Sequence, residues 1–216
     1  MPAAVTSPYD ANLATWPDAR ALPGLGAAPG VRVDPGEPWP VVSLRAGDRW
    51  LTLHSRHDPI REAERQLDGT DLARETALFV IGLGLGYVLD ALDRRAWPGR
   101  VIAFEPDADV VHAFLSRRDW RGWLAGGRLT ILVGPAFDGL DAIVASLEPL
   151  GPDPPVVTHA VVALARPDAV TRARQLAARA LSGARANQDA RRRNAGRYLV
   201  NTLSNLRRLV AGCSAY

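Results

Sequence analysis

Residues 79–87 read FVIGLGLGY. An aromatic and β-branched run that turns into glycine at every second position predicts a buried strand followed by a turn built from backbone conformations closed to other residues. GYVLDALDRR (86–95), which overlaps its end, carries helical spacing. The stretch therefore predicts a strand–turn–helix junction, and the rest of the chain can be read outward from it.

Toward the C-terminus the same alternation repeats. RVIAFEP (100–106) predicts a second strand, DADVVHAFLSRRDWRGWL (107–124) a second helix, RLTILVG (128–134) a third strand and FDGLDAIVASL (137–147) a third helix. PPVVTHAVVAL (154–164) can supply a fourth strand. Strands separated by helices of this length build parallel βαβ units, because a parallel crossover needs about a dozen residues and a helix supplies them. The core is expected to be α/β: a Rossmann-like, mostly parallel sheet flanked by helices.

Toward the N-terminus, His57-Asp58-Pro59 opens a helix. Asp58 is a good N-cap, Pro59 fits the first helical position, and Ile60, Ala63, Glu64 and Leu67 follow at helical spacing, with Asp68-Gly69 as the stop. PVVSLRAGDRWLTLHS (40–55) predicts a β-hairpin turning at Ala46-Gly47-Asp48. Residues 1–39, rich in Pro, Gly and Ala, predict a loosely ordered lead-in. Three segments result: 1–39, a hairpin plus Rossmann-like domain over 40–167, and a basic helical arm over 168–216. That arm has an expected break near Ser182-Gly183 and an apolar stripe at Leu199, Leu203, Leu206 and Val210.

Composition narrows the chemistry. All 26 basic residues are Arg, which excludes a phosphate-binding lysine, a Schiff base or a lysine general base. Cys213 is the only cysteine, so one copy holds no disulfide and no cysteine metal cluster. Asp168 to Gly212 contains ten Arg against Asp168 and Asp189 alone. Nucleic acid is nonetheless the disfavoured partner of Arg191, Arg192 and Arg193, because no aromatic platform accompanies them; a solvated or partner-facing helix face is the expectation. No stretch approaches eighteen consecutive apolar residues, and the N-terminus lacks the charged start, apolar middle and cleavage site of a signal peptide. A cytoplasmic protein without membrane contact is expected.

Gly82, Gly84 and Gly86 occupy the first βα turn, which in such sheets faces the crevice where ligands bind. The dinucleotide fingerprint G-x-G-x-x-G needs a glycine where this chain has Tyr87. G-x-G-x-G instead resembles the loop of S-adenosylmethionine-dependent methyltransferases. Those enzymes usually end the next strand with an acid that holds the ribose hydroxyls, and Glu105 stands there. Val80 replaces the acid common two residues before the first glycine, and no acidic-Pro-Pro-aromatic motif follows; only Asp138 and Asp141 lie near the third strand's end. Gly82, Gly84, Gly86 and Glu105 are thus the candidate cofactor-binding residues, with a nucleotide or S-adenosylmethionine-like ligand as the candidate occupant. The competing reading is close helix–strand packing by the glycines, with Glu105 capping the next helix or pairing with an Arg.

LHSRHDPIREAER (53–65), LFVIGLGLGYVLDAL (78–92), VIAFEPDADVVHAFL (101–115) and YLVNTLSNL (198–206), taken in order, resemble the N-terminal part of the motility accessory factor family. These bacterial proteins are linked to glycosylation of flagellin with nonulosonic sugars such as pseudaminic or legionaminic acid. The resemblance implies a Rossmann-like domain preceding a hydroxymethylpterin diphosphokinase-like, sialyltransferase-like central domain that would carry out transfer. Nothing after Asn205 resembles the Gly-rich entry of that central domain, so the expected role is a non-catalytic module assisting a glycosyltransferase. Flagellin or the catalytic domain is the implied partner, and a homo-oligomer is compatible with the sequence. A small methyltransferase is the alternative.

His54, His57, His112 and His159 show no spacing or acid cluster of a metal site or triad, so no catalytic or metal residue is assigned. His57 reads as a surface-loop residue. Asn201 and Asn205, one helical turn apart, read equally as a polar edge or as a bridge to a second domain.

Overall fold

The computed structural model describes residues 7–17, 30–134, 136–137, 140, 154–183, 185–186, 189–190 and 193–194. At its centre lies a parallel sheet of β4 (Ala77–Ile81), β5 (Arg100–Glu105), β6 (Leu129–Val133) and β7 (Val156–Thr158), in the order β6-β5-β4-β7. All five residues of β4 are buried, as expected for an inner strand covered on both faces. Ile81 pairs with Phe104 of β5 on one side and with Thr158 of β7 on the other. Helices flank this sheet, so the fold is α/β and Rossmann-like.

The hairpin exists as β2 (Val41–Ala46) and β3 (Arg49–Thr52), turning through Gly47 at φ +58°. It is one strand larger than the sequence predicts. β1 (Val31–Asp34), inside the lead-in, pairs antiparallel with β2 and makes a second, three-stranded sheet.

The lead-in also holds a helix, α1 (Pro8–Thr15). Ser7 caps it by accepting the Asp10 N–H, and Pro8 takes the first position. Its anchor is polar. The fully buried Asn12 side chain donates to the carbonyls of Leu115 and Arg118 and accepts the Trp120 N–H, each at 2.7 Å.

α2 (Pro59–Gln66) follows the reading closely: Asp58 accepts the Arg61 N–H at 2.9 Å, and Ile60 and Ala63 are buried. It packs on α3 (Tyr87–Arg94).

The second helix is two: α4 (Ala108–Arg117) and α5 (Arg121–Leu124). Arg118 breaks it by turning extended at φ −157° and ψ 177°, and the Trp120 N–H then goes to Asn12 in place of a helical carbonyl while its indole N–H turns back to the Phe114 carbonyl. The predicted fourth strand is short. His159 Nδ1 accepts the Val161 N–H and starts α6 (Ala160–Ala165) inside the segment whose apolar residues predict the strand. A further helix, α7, covers 167–183. Ser182 and Gly183 are helical in it, and residue 184, next to them, lies outside the described residues.

Of the third helix, only Phe137 and Leu140 are described, both buried. Asp138, Asp141, Asn201, Asn205, Cys213 and the Leu199 to Val210 stripe lie outside the described residues. Among those described, no helix is long and apolar enough to cross a membrane.

Candidate functional site

The loop 82–86 leaves β4 at its carboxyl end, next to the carboxyl end of β5. Gly82 continues the ladder by donating to the Phe104 carbonyl at 2.8 Å, and the Gly86 N–H closes a turn onto the Leu83 carbonyl at 3.0 Å. Gly84 and Gly86 sit at φ +55° and +79°, which residues with a Cβ adopt only with strain.

Glu105 ends β5 and reaches this loop. Its Oε2 accepts the Gly84 N–H at 3.1 Å and its Oε1 accepts the Asp107 N–H at 3.3 Å. The residue is 0% exposed, and burial pushes its carboxyl up to about 8 against the opposing pull of the Gly84 amide. Burial thus favours its protonated form, inside the protein and bonded to backbone.

Each glycine also admits a particular neighbour. A Cβ on Gly82 would stand 2.6 Å from Val162 of α6; on Gly84, 2.5 Å from the His54 ring; on Gly86, 2.6 Å from Phe114 of α4. Contacts this short are closed to ordinary carbon atoms. The loop is therefore gripped from three sides by the chain's own side chains.

His54 is the central one of these. It follows β3, is nearly buried, and accepts the Leu85 N–H on Nε2 at 3.0 Å. Its ring meets Tyr87 edge-on at 4.8 Å and His159 at 5.3 Å. Burial, His159 and Arg117 together hold its pKa well below the ordinary imidazole range. Beyond α6, Arg166 pairs with Asp107 at 3.0 Å and donates to the Arg45 carbonyl at 2.8 Å. It thereby straps α6 over the carboxyl ends of the parallel strands.

The structure brings Gly84 and Glu105 into direct contact, while Gly82 and Gly86 serve α6 and α4. Sequence reasoning missed His54, His159, Asp107 and Arg166, which are far apart in the chain. The N-cap spacing from His159 to Val161 was their only local sign. His57 is exposed, as read, and His112 is buried beside Tyr9, whose hydroxyl lies 2.8 Å from its Nδ1.

A ribose diol needs an accessible carboxylate beside an open glycine turn. Here the carboxyl is enclosed and bonded to two amides, and the turn is filled, so in this arrangement these residues do not fit a ribose. Among the described residues no group of three His, Cys, Asp or Glu could hold a metal ion.

No family model matches the chain, and no curated protein matches it. Among solved structures, it is similar to the MAf glycosyltransferase from Magnetospirillum magneticum AMB-1, at 16% identity and a TM-score of 0.47, over 78% of this chain and 35% of that one. It is also similar to a spermidine synthase, at 14% identity and a TM-score of 0.35, over 62% of this chain and 48% of that one. The chain thus spans about a third of the length of the first and about half of the second.

Proposed function

We propose that this chain is a non-catalytic Rossmann-like module of the motility accessory factor type, supporting the transfer of nonulosonic sugars to flagellin by a catalytic glycosyltransferase domain in the cytoplasm. The four ordered segments quoted above support the family reading. The observation that carries the non-catalytic part is the Gly84 to Glu105 hydrogen bond inside a loop packed with His54, Val162 and Phe114. A crevice filled in this way supports a protein whose glycines position helices rather than a cofactor.

Isothermal titration with S-adenosylmethionine or S-adenosylhomocysteine tests it. Micromolar affinity corresponds to about 8 kcal/mol and needs adenine and methionine contacts in addition to the glycine turn and ribose acid. We expect no binding tighter than roughly millimolar, or about 4 kcal/mol. The flagellin reading has its own test: intact-mass measurement of flagellin from cells lacking this chain, with loss of the sugar mass expected and an unchanged mass counting against it.

The methyltransferase reading is favoured by one observation, that Glu105 ends the strand directly beside the loop. It requires the Glu105 to Gly84 bond to give way to a ligand. Low-micromolar binding that disappears in a folded Glu105→Ala variant would put that reading first.

A further inference from the structure

We propose that His54 and His159 form an acid-sensitive latch that clasps the glycine loop to the three-stranded sheet and to α6. The latch goes beyond the function proposed above and does not depend on whether the crevice ever takes a ligand.

The two residues are remote in sequence and meet because β7 takes the edge of β4 opposite β5. His54 arrives from the end of β3 and His159 from the end of β7, and their rings stand 5.3 Å apart at 89°. Each ring is an acceptor from a backbone N–H: His54 Nε2 from Leu85 at 3.0 Å, and His159 Nδ1 from Val161 at 3.3 Å. A neutral imidazole has one acceptor nitrogen, so these bonds fix His54 with its proton on Nδ1 and His159 with its proton on Nε2. Protonating either acceptor turns it into a donor facing a donor. One protonation unseats the glycine loop, and the other uncaps α6.

The charged and titratable surroundings are unequal. Glu62 of α2, which accepts the Ser55 N–H at 2.7 Å, lies beside His159 and favours its charged form. Tyr87 of α3 stands edge-on to His54, and Arg117 of α4, paired with Asp90 and lying over the Tyr87 ring, opposes charge there. Glu105 of β5 lies across Gly84 from His54, and α6 contributes no titratable side chain. The Leu53 backbone, facing the buried His159 ring, also favours its charged form. His159 therefore takes the first proton, which uncaps α6, and its charge then opposes a second proton on His54, so that the glycine loop is released only at lower pH. Burial holds both rings below their usual range, so the closed form is complete at neutral pH and is lost as acid is added.

The test uses the full chain and a His54→Gln/His159→Asn double variant, whose amide oxygens can accept the same backbone N–H groups but do not titrate. Urea unfolding is measured at pH 7.5 and 5.5. We expect the unfolding equilibrium constant of the wild type to rise over this interval by roughly tenfold or more relative to the double variant. Equal responses overturn the latch. If the variant does not fold at pH 7.5, nitrogen NMR of the wild-type histidines decides. Loss of the Nε2–H form of His159 first, followed by loss of the Nδ1–H form of His54 together with amide protection at Leu85 on acidification, supports it. Ordinary imidazole titration with Leu85 protection retained overturns it.

Discussion

Arg166 Nη2 stands 3.0 Å from Asp107 Oδ1, and the same guanidinium reaches the Arg45 carbonyl. One side chain thus joins the end of α6, the start of α4 and the end of β2. Both members of the ion pair are largely shielded, at 23% and 12% exposure, so the pair is not the weak surface kind. Arg166→Met leaves the Asp107 carboxylate without its cation, and we expect a loss of about 1.5 to 3 kcal/mol in urea unfolding. A double-mutant cycle with Asp107→Asn should show coupling above about 0.5 kcal/mol. Additive losses would mean that the strap carries no tension between its ends.

Gly84 and His54 should be coupled in the same sense. Gly84→Ala meets both a positive φ and the His54 ring, and about 2 to 4 kcal/mol of destabilisation is expected from the two together. Removing the ring in His54→Gly relieves the second cause but not the first. The double variant should therefore be more stable than the sum of the single losses predicts, by roughly 1 kcal/mol. Denaturation midpoints of the four proteins measure this directly.

Glu105 gives the molecule an alkaline weakness. Its carboxyl is raised from about 4.5 to about 8, so the folded state retains a proton that the unfolded chain gives up. The stability this group contributes is full below about pH 4.5 and is lost as pH rises through about 8. Within that window each pH unit removes up to about 1.4 kcal/mol. Glu105→Gln keeps an uncharged group there, so its stability should fall less steeply from pH 6 to 9 than that of the wild type. Parallel profiles would show that the buried carboxyl does not hold its proton.

Asn12→Ala should loosen the first helix. A buried carbonyl, a part-buried carbonyl and a buried N–H lose their partner, which predicts about 2 to 4 kcal/mol. Loss of protection at the Trp120 amide, read by hydrogen exchange, should accompany it.

The parallel sheet is legible because β4, β5 and β6 are unbroken apolar runs between helical spacings, and α2 is legible because Asp58-Pro59 is a local device. α1 is not, because Asn12, the residue that fixes it, looks like a surface amide until its three backbone partners are placed. Ser7-Pro8 is its one local sign. β7 and α6 share an apolar run in which period-2 and helical patterns coincide, so only the cap at His159 divides them. Gly84 and Glu105 could be read as neighbours from the βαβ rule. What presses on the loop could not, since His54, His159 and Val162 arrive there through strand order and not through spacing.

Asn12 lies 103 residues ahead of Leu115, the first of its partners. An eight-residue helix does not persist alone in water, so α1 has no means of forming until α4 and Trp120 have been made. At a synthesis pace of about 5 to 20 residues per second, that wait is roughly 5 to 20 s. The end of the chain synthesised first is sealed late, and Trp16, which is 4% exposed in the finished protein, is open to solvent and to chaperones throughout the interval.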